Sequence, residues 1–318
     1  LAVQSRCDDA RANAASEDLH DDEAALCVGL ERSVLFGYRG GCQVPLGVHA
    51  VRKENGFSLW ASGARTQENM PVRVYLTGPD ANLLANDAVQ RLQRRPRALR
   101  VFITRAHEPE GLLSRSLFAH GLPVCGGQLL AAEALPFAVP KGVDRIFFTS
   151  RNGVRYFVSG GGDLSAARCD AIGSGTADEL RKHGADVGFI GDGPDTPTIA
   201  AEYAARFSTQ IVLFPCAETG LRTVQKAMPA ESTIDLPVYR MRSIENVAIP
   251  DADVVIVTSP EHAGALHALK PLDTFAHRIA MGTSTAHRIR ELSGADAIIP
   301  WASNEMALLD AVFNIATA

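Results

Sequence analysis

Two copies of a short hydroxyl-rich motif are the residues in this 318-residue chain whose types and spacing could do chemistry. Thr149-Ser150 closes the apolar run that begins at Asp144, and Thr258-Ser259 closes the one that begins at Asp253. Each is followed by a glycine-bearing turn, Ile172-Gly173-Ser-Gly-Thr176 after the first and Met281-Gly282-Thr283-Ser284-Thr285 after the second. Ser150 and Gly173 are 23 positions apart, as are Ser259 and Gly282, so one offset of 109 relates both blocks. Matched blocks at constant spacing predict a duplicated α/β unit. In open parallel sheets ligands bind beyond the C-terminal strand ends. The helices that start there offer free N–H groups and partial positive charge to carboxylates or phosphates. Hydroxyls at these positions either cap the helix or donate to an anion, and the glycines serve either that purpose or backbone geometry alone. A further strand ends in the same manner, at Thr104-Arg105. Neither glycine turn fits the dinucleotide fingerprint or the P-loop. The predicted ligand is therefore a polyanion held by neutral hydroxyls and backbone N–H groups, not a nucleotide. Arg105 and Arg151, the latter followed by Asn152, are the cations of these motifs, and either could equally be a surface ion-pair partner.

Other reactive constellations are few. There is no Gly-x-Ser-x-Gly, and the six cysteines are scattered without a CxxC pair, which suits a reducing cytosol better than a disulfide framework or a zinc site. His262 and His267 lie five apart, which is not metal spacing, and are expected at the surface. Tyr239 falls on a segment expected to cross between two lobes, where a tyrosine either packs or acts as an acid. A net charge of −5 argues against a nucleic-acid partner. No apolar run has the length to span a bilayer, and no signal peptide is visible. A cytoplasmic protein is expected.

The elements that must position these groups alternate along most of the chain. Residues 1–95 read as helices followed by short antiparallel strands at 48–51, 57–61 and 72–76, then a helix over 80–95 with Leu83, Leu84, Ala88 and Leu92 on one face. The basic run 91–100, broken by Pro96, reads as a solvated interdomain linker. From Leu99 strands and helices alternate, including a helix at 220–228 and a last strand at 297–299, which implies parallel sheets covered on both faces. Segments 128–135 and 236–240 are the crossings. The predicted fold class is α/β, two parallel-sheet lobes joined by two crossing strands with a cleft between them. A small α+β domain with a three-stranded antiparallel sheet precedes them. The chain begins at Leu1 without a methionine, inside an expected strand, and reads as lacking an N-terminal part.

From Leu99 onward the chain resembles uroporphyrinogen-III synthase. The resemblance rests on Ile103-Thr-Arg105, Phe147-Phe-Thr-Ser-Arg-Asn-Gly-Val154, Ile172-Gly-Ser-Gly-Thr-Ala177, Val238-Tyr239, Val257-Thr-Ser-Pro260 and Met281-Gly-Thr-Ser-Thr-Ala286, in order and at matching spacing. It implies lobe one at 97–130 and 243–318, and lobe two at 131–242. Residues 1–95 resemble the C-terminal domain of hydroxymethylbilane synthase (porphobilinogen deaminase). The segment 1–9 resembles the end of that family's second domain, and Glu31-Arg-Ser-Val-Leu-Phe-Gly-Tyr-Arg-Gly-Gly-Cys-Gln-Val-Pro-Leu-Gly47 is similar to its cysteine loop. By that resemblance Cys42 carries the dipyrromethane cofactor as a thioether, where a lone cysteine read by itself is a small apolar residue.

The two families catalyse consecutive steps, so the chain resembles the C-terminal piece of a bifunctional fusion. The N-terminal deaminase domains, with their catalytic Asp and substrate-binding cations, are absent from it. Deaminase activity, and cofactor on Cys42, are accordingly not expected here. The resemblance implies cyclisation of hydroxymethylbilane, a linear tetrapyrrole octacarboxylate, to uroporphyrinogen III with loss of water and inversion of ring D. Tyr239 would be the acid for the leaving hydroxyl. Thr104, Arg105, Thr149, Ser150, Arg151, Asn152, Gly173, Thr176, Thr258, Ser259, Gly282, Thr283, Ser284 and Thr285 would hold the carboxylates. No metal or redox cofactor is implied for this half. The rival readings are an inactive scaffold or tetrapyrrole-binding module, and a bilobal small-ligand binder of the periplasmic type.

Overall fold

A computed structural model of the chain describes residues 5–17, 19–39, 44–193 and 195–318. Cys42 and the first residues of the segment 1–9 lie outside these. The first part holds α1 (Ala10–Glu17), α2 (Asp22–Tyr38), an antiparallel meander of β1 (Leu46–Lys53), β2 (Gly56–Gly63) and β3 (Val72–Gly78), and α3 (Ala81–Gln93). Asp21 caps α2, its carboxylate accepting from Ala24 N, and Asp80 caps α3 in the same way. The β1–β2 turn needs Gly56: its φ is +134°, and a Cβ there would meet Gly78 O at 2.2 Å. The buried face of α3 is Leu84, Ala85, Ala88 and Leu92. Leu83, expected on that face, is 68% exposed, being five residues and therefore about 140° around the helix from Ala88.

The chain continues through β4 (Val101–Ile103), α4 (Leu112–Ala119), β5 (Val124–Gly126), β6 (Leu130–Ala134), β7 (Arg145–Phe148), α5 (Arg151–Ser159), β8 (Arg168–Ala171), α6 (Ser174–Lys182), β9 (Val187–Ile190), α7 (Thr196–Phe207), β10 (Val212–Ala217), α8 (Thr223–Ala227) and β11 (Thr233–Ser243). It closes with β12 (Val254–Val257), α9 (Pro260–Leu269), β13 (His277–Ala280), α10 (Thr283–Ser293) and α11 (Glu305–Thr317). These elements fall into two compact units, Leu1–Leu129 with Asn246–Ala318, and Leu130–Glu245. The first contains the meander and a parallel sheet in the order β13-β12-β4-β5, and the second a sheet in the order β6-β11-β10-β7-β8-β9. Only β6–β11 pairs antiparallel in the latter, and these two strands are the segments expected to cross. The helix expected over 220–228 is confined to 223–227, because Arg222 takes a left-handed φ of 57° and cannot continue it backwards.

In the first unit the meander and the parallel sheet share one hydrophobic core, which runs from Leu30 and Leu59 through Leu84 to Ile103, Leu308 and Val312. Helix α11 joins them. It packs on β3 and α3 and on α4, and its residues 307–313 are all buried. Its polar side chains have partners in the meander or nearby. Asp310, 1% exposed, accepts from Arg73 Nε at 2.8 Å and from Trp301 Nε1 at 2.9 Å. The Asn314 amide pairs with both backbone groups of Tyr75, satisfying the outer edge of β3 as a further strand would. The last carbonyls of α11 have no partner within the helix. They are met by Arg91 on Asn314 O (2.9 Å), Arg97 on Ile315 O (3.0 Å) and Arg94 on Thr317 O (3.1 Å). The backbone N–H of Arg97 also reaches Ala316 O, at 2.8 Å. The basic run read as a solvated linker is thus a helix cap, its cations placed where the helix dipole favours them.

The repeat extends far beyond its two motifs. At the same offset of 109, α5, α6 and α7 begin at 151, 174 and 196, and α9, α10 and α11 at 260, 283 and 305. The predicted strand at 297–299 is the counterpart of β9, yet only one bridge, Ile279 to Ile298, is formed. In the first copy Gly191 N donates to Ala171 O and extends the pairing. The equivalent residue in the second copy is Pro300, which has no N–H to give.

The second unit also buries charge. Arg145 makes a two-pronged pair with Asp170 at 2.6 Å through both Nε and Nη2, and Tyr203 donates its phenol to the same carboxylate at 2.7 Å. Burial pushes the Tyr203 phenol far up, so it remains a donor. The equivalent positions in the second copy are Val254, Ile279 and Val312, each fully buried.

Two measurements test this account. Asp310→Ala removes the buried acceptor of Arg73 and Trp301 and is expected to cost about 3 kcal/mol in urea unfolding, as loss of one member of a buried pair does. A cost within error of zero would show that α11 is not held through Asp310. The hydrogen bond from Arg155 holds the Glu179 carboxyl down at about 2. A depressed carboxyl contributes stability that is complete above its ordinary pKa of about 4.3 and is lost as pH falls towards 2. The melting-temperature gap between the wild type and Glu179→Gln is therefore expected to be full at pH 6 and to close between pH 4 and pH 2. A pH-independent gap contradicts this.

Candidate functional site

In each unit the hydroxyl motif stands where a parallel strand hands over to a helix. In the second unit Ser150 caps α5, its Oγ accepting from Gly153 N at 3.0 Å. The helix can sit this close to β10 because residue 153 is glycine: a Cβ would meet Pro215 O at 2.8 Å. In the first unit Ser259 caps α9 in the same manner, accepting from His262 N at 3.3 Å. The capping role of both serines is therefore real. It leaves each hydroxyl proton available to another acceptor.

The two glycine turns differ from the serine caps. Gly173 and Gly282 are the N-cap residues of α6 and α10, and neither helix has a side-chain cap. Their φ values of −175° and 168° are extended and open to any residue. A Cβ would meet only Gly191 O at 3.9 Å in the first case and nothing in the second. Neither strain nor crowding requires these glycines, and the backbone-geometry alternative drops out. What the glycines do is leave the first N–H groups of both helices without a competing side chain. Of the hydroxyls that follow, Thr176 and Thr285 are buried, whereas Thr283 and Ser284 are exposed.

Tyr239 is 8% exposed and lies on β11, opposite Ala134 of β6 and beside Ala217 of β10. Its Oη is 3.4 Å from Ser150 Oγ. Its ring stacks on Tyr156 at 5.2 Å, and Tyr156 is itself anchored by a 2.8 Å bond from its hydroxyl to Ala132 O. Strand β11 is fixed here by Arg240, whose guanidinium grips the directly opposed Glu133 at 3.0 and 3.2 Å. The structure thus brings Tyr239 together with Ser150. Thr149 and Asn152 stand beside them half-buried, and Arg151 is exposed at the first turn of α5. Tyr156 escaped the sequence reading because its link to Tyr239 depends on the β6–β11 pairing, which no local pattern announces.

The positions in the first unit are more occupied. Thr104 is fully buried, its Oγ1 3.1 Å from both the Oγ1 and the N of Thr258, so this pair ties β4 to β12. Arg105 forms an ion pair with Glu305, the surface-partner alternative. His262, expected at the surface, is half-buried with Nδ1 2.9 Å from Ser259 Oγ, and burial pulls its pKa below the usual value. His267 is half-buried too and accepts from Leu272 N at 3.2 Å. Their spacing concealed this because His262 turns back on the Ser259 cap of α9 and His267 forward on the turn that follows the helix. Burial drives the Cys169 thiol up to about 12 and the Cys216 thiol up to about 11, which leaves both unreactive. Among the described residues no group of His, Cys, Asp and Glu is placed to hold a metal ion, and no helix is long and apolar enough to cross a membrane.

Residues 130–310 match the family model of uroporphyrinogen-III synthase HemD, and residues 25–81 match that of the porphobilinogen deaminase C-terminal domain. The chain is 34% identical to the porphobilinogen deaminase of Corynebacterium diphtheriae over 85 residues, which is 27% of this chain and 29% of that protein. It is 32% identical to the porphobilinogen deaminase of an Exiguobacterium species over 92 residues, 29% of this chain and 30% of that protein. The chain therefore spans under a third of the length of these curated relatives. Among solved structures, the uroporphyrinogen-III synthetase of Helicobacter pylori superimposes with a TM-score of 0.54 at 18% identity, covering 69% of this chain and 99% of that one. At that identity the likeness concerns the fold.

The serine caps can be tested independently of any activity. Ser150→Ala and Ser259→Ala are each expected to cost about 1 kcal/mol in urea unfolding. A Ser150 variant with unchanged stability would mean that its hydroxyl does not hold Gly153 N.

Proposed function

Because the chain belongs to the uroporphyrinogen-III synthase HemD family of porphyrin and heme biosynthesis, we propose that it cyclises hydroxymethylbilane to uroporphyrinogen III, losing water and inverting ring D. The observation that carries this reading is the placement of Tyr239. Its phenol lies at the C-terminal end of a parallel sheet, within 3.4 Å of a hydroxyl whose acceptor role is already in use. With Gly153 N donating to it, Ser150 can give its own proton to Tyr239 Oη. The Tyr239 proton is then free for the leaving hydroxyl of the substrate. The stacked Tyr156 fixes the direction of that donor.

Apart from Arg151, the carboxylate-binding groups in this proposal are neutral. The open N-termini of α6 and α10, with Gly173, Thr176 and the turn Gly282, Thr283, Ser284, Thr285, offer N–H and O–H donors to acetate and propionate groups. Thr149, Arg151 and Asn152 add to them, while Ser150, whose proton goes to Tyr239, Thr258 and Thr104, which hold each other, Ser259, which meets His262, and Arg105 act by holding strand ends and loops in place. Much of the rate enhancement is assigned to positioning, since ring closure needs its two ends held together. No metal or redox cofactor enters the step. The cytoplasm is the proposed compartment, in keeping with cysteines that are scattered in sequence.

The deaminase-like part is proposed to be one domain of a fused porphobilinogen deaminase in which Cys42 would hold dipyrromethane, and to be unable to condense porphobilinogen by itself. Incubating this chain with porphobilinogen and following hydroxymethylbilane tests that directly, and product formation refutes it.

Isomer analysis tests the main proposal. Supplied with hydroxymethylbilane, the chain is expected to yield type III uroporphyrin after oxidation. Type I alone, at the uncatalysed rate, would favour a scaffold or a tetrapyrrole-binding module. Tyr239→Phe is expected to lower turnover about 10- to 100-fold without a comparable loss of stability, and undiminished type III formation would remove Tyr239 from the chemistry. Gly173→Ala should leave the melting temperature nearly unchanged, the backbone and the space both permitting alanine, while raising KM. A lower melting temperature with an unchanged KM would reverse that assignment.

A further inference from the structure

We propose that a cleft at the seam between the deaminase-like meander and the synthase-like sheet is a second binding site, for a small pyrrole that carries carboxylate side chains. The cleft lies within the first unit and has a volume of about 640 Å³, a size typical of small-ligand sites. Its walls are the β2–β3 connection with Arg65, the end of α3 followed by Arg94 and Arg95, and His120 after α4. No group of the proposed synthase reaction lines it.

Two features define what would bind. The rim carries three guanidiniums, Arg65, Arg94 and Arg95, against one carboxylate, Glu68, in a chain whose net charge is −5. Arg94 is already oriented by its bond to Thr317 O at 3.1 Å. Arg65 and Arg95 are exposed and form no ion pair with any described residue, so their charge is available to an incoming anion. Apolar atoms come from half-buried Tyr38 and Met70, backed by buried Val72 and Leu92, within a lining that is otherwise largely polar. An inorganic anion would gain nothing from these apolar atoms. A flat ring with carboxylate arms uses both parts, the ring against Tyr38 and Leu92 and the arms on the arginines.

His120 adds a neutral acceptor. Its Nε2 is 3.0 Å from Met70 O, and a carbonyl only accepts, so Nε2 carries the proton. Burial pulls the imidazole below its ordinary pKa and keeps Nδ1 unprotonated near neutrality, an acceptor of the kind a pyrrole N–H requires. The choice of a pyrrole as ligand rests on the tetrapyrrole function proposed above. The site itself rests on the cleft and its charge.

Calorimetric titration of the intact chain with porphobilinogen, a pyrrole bearing acetate and propionate, tests this. One saturable site is expected, weakened roughly tenfold or more in Arg65→Ala/Arg95→Ala, while the double variant keeps wild-type formation of the type III isomer. Inorganic phosphate should bind at least tenfold more weakly than porphobilinogen. Equal affinity in the wild type and the double variant, equal affinity for phosphate, or no binding at millimolar porphobilinogen overturns the proposal. Failure of the wild type to form type III isomer counts against the synthase reading alone, and the titration still decides the cleft.

Discussion

Helix α11 has almost no face left for solvent, and much of the first unit depends on how that burial is made tolerable. A helix inserted between a meander and a parallel sheet must bury its carbonyl end and any polar side chain it carries. Here every such group is matched. Three arginines meet the last carbonyls, Asp310 is held by Arg73 and Trp301, and Asn314 acts as the missing neighbour of β3. Because all of these partners but Trp301 come from residues 73–97, the seam between the two parts is specified by directional bonds as well as by apolar contact. The same packing builds the walls of the cationic cleft, since the arginine-rich segment that caps the helix also supplies its rim.

The two copies of the repeat solve one packing problem differently. At the position below the strand ends, the first copy buries Arg145, Asp170 and Tyr203, and the second buries Val254, Ile279 and Val312. Buried ion pairs gain little net stability over well-packed apolar residues, because desolvation offsets their attraction. The exchange is therefore permitted by the fold. Its side matters: the apolar version belongs to the copy whose last helix is α11, wrapped on all sides, and the ionic version to the copy whose last helix, α7, keeps polar residues such as Glu202 and Arg206 towards water.

Much of this was legible from local pattern. The constant offset of 109, the apolar strand runs and the Thr-Ser endings carry the α/β alternation, and helix starts such as Asp80 and Ser150 follow from capping chemistry. What was not legible is what depends on distant chain. The basic run 91–100 looks like a solvated linker until carbonyls of residues 314–317 are placed beside it. His262 and His267 look like surface residues until their partners Ser259 and Leu272 are placed beside them. The strand at 297–299 had the right composition and failed for want of one N–H at Pro300. In the candidate site, hydroxyl and glycine positions could be named in advance, but only the structure separates Thr104, locked between strands, from Gly173 and Gly282, which leave helix ends open.

The way α11 is shared bears on the order in which the molecule can be made. The second unit is one continuous stretch, 130–245, and all of its strands exist once that stretch has been synthesised. The meander is finished 167 residues earlier, at Gly78, yet the edge of β3 and the apolar face of α3 are complete only when residues 305–317 arrive. Contacts this far apart in sequence form late. During translation the N-terminal part must wait with that surface uncovered, exposed to the aggregation that threatens incomplete domains, while the segment inserted within the first unit folds ahead of its surroundings.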